Sequence, residues 1–187
     1  MGLTLRAVSK EYHYSKIKED VVGKEYGLST DIGYIGFKLF RDALVKFTTN
    51  GAYSDINKDK YFDGKYASDL VNSFIDDDSL QVCIDDEDFL SEDLEKYQDE
   101  VKQYKHKLFH MKEHYPKLYQ VFPLIAHCDC DGEMPLKQCQ MILPVIKEFY
   151  KQDTHNYGYS GWNYNFTEEF ISILEEVISH RGKLYFS

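Results

Sequence analysis

Residues 3–8, LTLRAV, alternate apolar with polar side chains, and a similar short run, KLYFS at 183–187, closes the chain. A period of two belongs to a strand that buries one face, so both runs are predicted strands. The two are expected to pair, which would bring the ends of the chain into one small sheet. Everything between them reads mainly as helix.

From Tyr34 to Phe47, YIGFKLFRDALVKF places Phe37, Phe40, Leu44 and Phe47 at helical spacing, and the helix should end near TTNG at 48–51. Residues 51–66 are rich in Gly, Asn and Asp and read as a loop. A short helix at ASDLVNSFI follows, and SLQVCI reads as a strand or a turn. Leu90, Leu94, Tyr97, Val101, Tyr104, Leu108, Met111 and Tyr115 then recur at alternating steps of four and three, the stripe of a long amphipathic helix. The stripe is expected to pack inside the chain's own bundle. Pro116 disfavours helical geometry at Tyr115, so the helix should stop or kink there before KLYQVF resumes it. Pro135 suits a first helical position ahead of LKQCQMILPVIKEFY, with Pro144 inside that helix. A loop is expected at 152–164. The last helix is predicted from Asn165 as N-cap, with Glu168 three residues on, to Gly182. These readings give a single domain over 1–187 of α+β class, predominantly helical: a helical bundle with a small sheet formed by the N- and C-terminal strands.

At 43% hydrophobic, with 16 Tyr and 12 Phe, the chain has the apolar area to offset its ordering entropy. Its apolar runs are too short to span a membrane, its start lacks the apolar core of a signal peptide, and position 6 is Arg where myristoylation wants Ser or Thr. Four cysteines, Cys83, Cys128, Cys130 and Cys139, are too few for a disulfide scaffold and read as free thiols in a reducing compartment. A cytoplasmic location is expected.

The net charge of −10 is unevenly spread. Residues 76–100 hold twelve carboxylates, Asp85, Asp86, Glu87 and Asp88 among them, against one lysine, so the remainder is close to neutral. A surplus of this sign disfavours general nucleic-acid binding, which needs a broad basic surface. It suits a basic protein partner, although an acidic helix face turned to water has the same composition.

The stretch AHCDCDGEMPLKQCQ, 126–140, is the densest in chemistry. Aligned on Gly132 it resembles an EF-hand loop, with His127 at position 1, Asp129 at 3, Asp131 at 5 and Met134 at 8. Position 9 is Pro135 and position 12 is Gln138, which cannot supply the bidentate carboxylate that completes a calcium cage, so the loop is a degenerate one. As a zinc site, His127, Cys128, Cys130 and Cys139 have the wrong spacing, since Cys-x-Cys sets neighbouring thiolates awkwardly around one tetrahedral ion. The favoured reading is a tight turn: Asp129 and Asp131 accept backbone N–H bonds, Gly132 takes positive φ, and Cys130 and Cys139 pack as small apolar groups. HMKEH at 110–114 matches the H-x-x-E-H zinc pattern, but His110 and His114 lie off the apolar stripe and are expected to face water. No metal or cofactor is expected.

HNYGYSGWNYNF at 155–166 combines Tyr157, Tyr159, Trp162 and Tyr164 with Gly, Ser and Asn and no charge, the mixture of adaptable recognition surfaces or of a lid over the core. No nucleophile elbow, P-loop or dinucleotide fingerprint occurs.

Taken together, MGLTL at the start, GYIGFKLFR at 33–41, HCDCDGE at 127–133 with Cys139 following, and GKLYF at 182–186 resemble a group of small uncharacterised bacterial and phage proteins. Their central motif usually reads His-Ser-Asp-Cys-Asp-Gly, and Cys128 here stands in the place of the Ser. The resemblance implies a bacterial or phage cytosolic setting and transfers no activity. The expectation is a non-enzymatic binding protein, of the immunity or anti-defence inhibitor kind, that blocks a basic partner through its acidic segment and aromatic loop. The alternatives are a small-molecule or nucleotide-binding or -hydrolysing protein built around His127, Asp129 and Asp131, and a structural phage component.

Overall fold

The computed structural model describes residues 2–15, 20–52, 106, 108–127, 132–152 and 162–187. Strand β1 (Gly2–Val8) lies inside a sheet of order β4-β1-β6-β5, with β4 at Glu25–Gly33, β5 at Gly132–Pro135 and β6 at Lys183–Phe186, every neighbour antiparallel. Leu3, Leu5 and Ala7 are fully buried while Thr4 and Arg6 are only partly so, which is the alternation read from LTLRAV. Leu5 stands opposite Phe186 and Val8 opposite Lys183, and Thr4 and Ser187 exchange backbone hydrogen bonds at 2.8 and 3.0 Å. The two ends of the chain therefore meet in one sheet, as expected. Beside it, β2 (His13–Ser15) and β3 (Asp20–Val22) form a separate two-stranded ladder.

Four helices with defined ends follow: α1 (Tyr34–Thr48), α2 (Pro116–Ile125), α3 (Leu136–Tyr150) and α4 (Trp162–Ser179), with a helical segment at 108–114 ahead of α2. Among the described residues, no helix is long and apolar enough to cross a membrane. Helix α4 packs on β1, β4 and β6 and against α3, while α2 packs on both α1 and α3. The core lies between sheet and helices, where Leu3, Leu5, Leu184 and Phe186 meet Phe37, Phe40, Phe149 and Phe170. The fold is α+β and helix-rich.

Pro116 acts as anticipated: Tyr115 leaves helical geometry at φ −137°, ψ 65°, and Pro116 opens α2 at N1. Only the end of the long stripe, Leu108, Met111 and Tyr115, falls among the described residues, and Leu108 and Met111 are buried. The short helix read at ASDLVNSFI and the segment SLQVCI lie outside the described residues. Two boundaries differ from the sequence reading. Pro135 is the N-cap of α3, not its first residue. Helix α4 begins at Trp162, so Asn165 is inside it and residues 162–164 of the expected loop are helical.

Four strands, β2 to β5, were not foreseen. In β4 only Thr30 and Ile32 are buried, which is too little alternation to read. Its pairing with β1 slips between Arg6 and Val8, so three residues, Tyr26 to Leu28, face Ala7 alone. The Leu28 N–H freed by this bulge donates to Glu176 of α4 at 3.1 Å, and Thr30 donates to Glu169 of the same helix. Helix α4 thus fastens the sheet's edge through two carboxylates, one satisfying a backbone N–H that the ladder leaves over and the other a side-chain hydroxyl.

Candidate functional site

The stretch 126–140 connects α2 to α3 through β5. Cys128, Asp129, Cys130 and Asp131 lie outside the described residues, and so do Cys83, Asp85, Asp86, Glu87, Asp88, Tyr157 and Tyr159. Trp162 and Tyr164 are placed by backbone alone, in the first turn of α4. What the structure does describe is the frame of the central motif.

His127 lies flat on Phe186, ring centroids 3.7 Å apart and planes 18° from parallel. Sheet register explains how it fits. Gly132 is the cross-strand partner of Phe186, and a Cβ there would sit 3.0 Å from His127 Cε1 and 3.2 Å from Nε2. The missing side chain leaves the space that the imidazole fills. Gly132 also has φ +126°, so the positive φ expected of this glycine is present, and both geometry and space exclude a larger residue. It opens strand β5, however, and does not merely turn the chain.

A residue that sequence reasoning missed holds the other side of the frame. Arg41 of α1 is 5% exposed. Its Nη1 donates to Ile125 O at 3.2 Å and to His127 O at 2.8 Å, and its guanidinium lies over Phe37 with Cζ 4.7 Å from the ring centroid. The two carbonyls belong to the C-terminal end of α2, where the helix dipole is negative and a cation is favoured. One signal could have found it: Arg41 follows Phe37 by four, on the face that otherwise buries Phe40, Leu44 and Phe47. A charge on an apolar stripe is a candidate for a buried, paired role.

Behind the motif, Gln138 is 2% exposed and its Nε2 has no hydrogen-bond partner among the described residues. A neutral amide at the position where an EF-hand needs a carboxylate cannot supply the bidentate ligand that closes the cage. Cys139 is fully buried and donates to Met134 O at 3.5 Å. Burial pushes its thiol up to about 12. It packs as a small apolar group, and a thiol held neutral is a poor zinc ligand. Among the described residues no three His, Cys, Asp or Glu side chains cluster as a metal site would require. His110, half-buried, and exposed His114 lie one helical turn apart with ring centroids 4.2 Å apart and planes tilted by 44°. Comparison of the chain with protein-family models, curated proteins and solved structures gives no match.

The raised thiol sets a pH dependence. In the unfolded chain Cys139 loses its proton near its ordinary value of 9.0, whereas the folded protein keeps it until about 12. Between these limits the unfolded state binds fewer protons, so this contribution is complete below pH 9 and is lost as pH rises toward 12, by about 1.4 kcal/mol per pH unit at most. Urea midpoints are expected to fall more steeply above about pH 9 in the wild type than in Cys139→Ala. Parallel curves for the two proteins would mean that the thiol is not buried as described.

Proposed function

We propose that this chain is a small acidic binding protein that blocks a basic protein partner, in the manner of an immunity or anti-defence inhibitor of a bacterial or phage cytoplasm. One observation carries the reading: residues 76–100 concentrate the entire negative surplus of a chain whose net charge is −10. A block of this kind steers a cationic partner into encounter and selects against anionic ones, so its effect falls mainly on the association rate. The uncharged aromatic residues at 157–164, Tyr157, Tyr159, Trp162 and Tyr164, supply the apolar contact area that charge alone lacks.

The test compares the wild type with a variant carrying Asp85→Asn, Asp86→Asn, Glu87→Gln and Asp88→Asn, each used to capture partners from a bacterial lysate. The wild type is expected to hold a basic protein that the variant holds at least about tenfold more weakly, with an association rate that drops as salt is raised. A partner held equally by both, or without salt dependence, refutes the reading. A second reading, a small-molecule or nucleotide-handling protein centred on His127, Asp129 and Asp131, is favoured by the fixed geometry of His127 between Phe186, Gly132 and Arg41.

A further inference from the structure

Strand β1 ends, β6 begins and β5 ends on one row of the sheet, because Val8 and Pro135 both stand opposite Lys183. Just beyond this row the chain turns at three places. Ser9–Tyr12 form a turn closed by donation from Tyr12 N–H to Ser9 O at 3.1 Å. Arg181 and Gly182 lead from α4 into β6, and Pro135 leads into α3. Together they enclose a cavity of about 440 Å³ whose walls carry Lys10, Lys137, Arg181 and Lys183 against one carboxylate, Glu133.

Lys183 is ion-paired with Glu133. Lys10, Lys137 and Arg181 form no ion pair among the described residues. Three cations with no ion-pair partner among the described residues thus line one cavity of a protein whose net charge is −10. Like charges brought together without a counter-charge raise the energy of the folded state and are relieved by an anion.

Two further observations point the same way. Arg181 has φ +55°. It follows α4 at the position where Gly182 N–H donates to Val177 O at 2.9 Å and Arg181 N–H to Ile178 O at 3.2 Å, a helix-ending motif that favours glycine at the Arg181 place. The chain holds an arginine in a strained conformation that glycine would adopt freely, and the arginine lines the cavity. Helix α3 begins on the same wall, with Leu136 and Lys137 in its first turn, Pro135 as an N-cap that offers no side-chain acceptor, and no acidic residue there. Among the described residues no side chain caps the positive end of its dipole.

We propose that this cavity binds a small phosphate-bearing ligand with at least two negative charges. Lysine, arginine and a helix start approaching from separate directions match the distributed oxygens of a phosphate group. The volume falls within the range of about 300–1,000 Å³ typical of small-molecule sites. The site has the opposite charge to the acidic segment and calls for an opposite partner, so either proposal can fail without the other.

Isothermal titration of the full chain with inorganic pyrophosphate, ADP and adenosine tests it. Pyrophosphate and ADP are expected to bind saturably, one molecule per chain, and adenosine not at all. Lys137→Ser and Arg181→Gly are each expected to weaken binding by about tenfold, the loss typical of one charge-assisted contact. Arg181→Gly should at the same time leave Tm unchanged or raise it by about 2 °C, since glycine relieves the strained backbone, which separates lost binding from lost folding. No heat of binding for pyrophosphate or ADP at millimolar concentration overturns the proposal, and so does binding that both variants retain in full.

Discussion

Phe40→Ala is expected to destabilise the protein by about 4 kcal/mol. The side chain is fully buried, and its ring meets those of Phe166 at 5.1 Å, Phe170 at 5.9 Å, Phe149 at 6.1 Å and Phe37 at 6.4 Å, with the first three pairs edge-to-face. It is the point where α1 touches both α3 and α4. Truncation removes the transfer energy of the ring and leaves a cavity whose walls belong to three helices, so no single side chain can turn to fill it. Against a total stability of about 5–15 kcal/mol, the loss would leave some preparations partly unfolded at room temperature. Urea unfolding should show a lower midpoint with an unchanged slope, and Phe40→Leu should fall between the variant and the wild type. A loss under about 1 kcal/mol would mean that α1 does not sit between α3 and α4 as described.

Phe40 was also among the residues legible in the sequence, and the reason shows where legibility stops. Helix α1 and strand β1 each bury a full face, so their periods of 3.6 and two are written along their whole length. Strand β4 buries two residues and β5 one, Met134, so neither carries a period to read. An edge strand is specified by its neighbour more than by its own composition. The early start of α4 has a similar origin. Asn165 with Glu168 is a plausible cap, but the Trp, Asn and Tyr before it are only mildly unfavourable in a helix, and nothing in WNYN stops one.

The site was legible in outline only. Gly132 and its positive φ, and the apolar packing of Cys139, follow from local chemistry. The seat of His127 does not, because Phe186 is 59 residues away in sequence and reaches the imidazole through the β5–β6 register. The basic cavity is further removed still. Its cations at 10, 137, 181 and 183 are unremarkable where they stand in sequence, and only the alignment of Val8, Lys183 and Pro135 across three strands collects them.

Gly182→Ala is the second substitution expected to be severe, at about 3–4 kcal/mol. An added Cβ would lie 2.1 Å from Val8 O, 2.9 Å from Tyr26 Cε2 and 3.2 Å from Val8 C. The first and third of these are backbone atoms of a central strand, so no rotamer change removes the overlap. Relief requires β6 to move away from β1, and that movement breaks the pairing of Val8 with Lys183 while pulling on the Gly182 N–H bond to Val177 O that ends α4. Gly33→Ala supplies the comparison: nothing lies within 4 Å of its added Cβ, and φ −65° suits alanine, so its stability should stay within about 0.5 kcal/mol of wild type. Measured side by side in urea, the two variants separate the cost of close approach from the general entropic effect of losing a glycine. Equal midpoints would place β6 farther from β1 than the register requires. Because Gly182 also lines the basic cavity, Gly182→Ala should weaken the proposed phosphate binding and stability together, whereas its neighbour Arg181→Gly weakens the first and keeps the second.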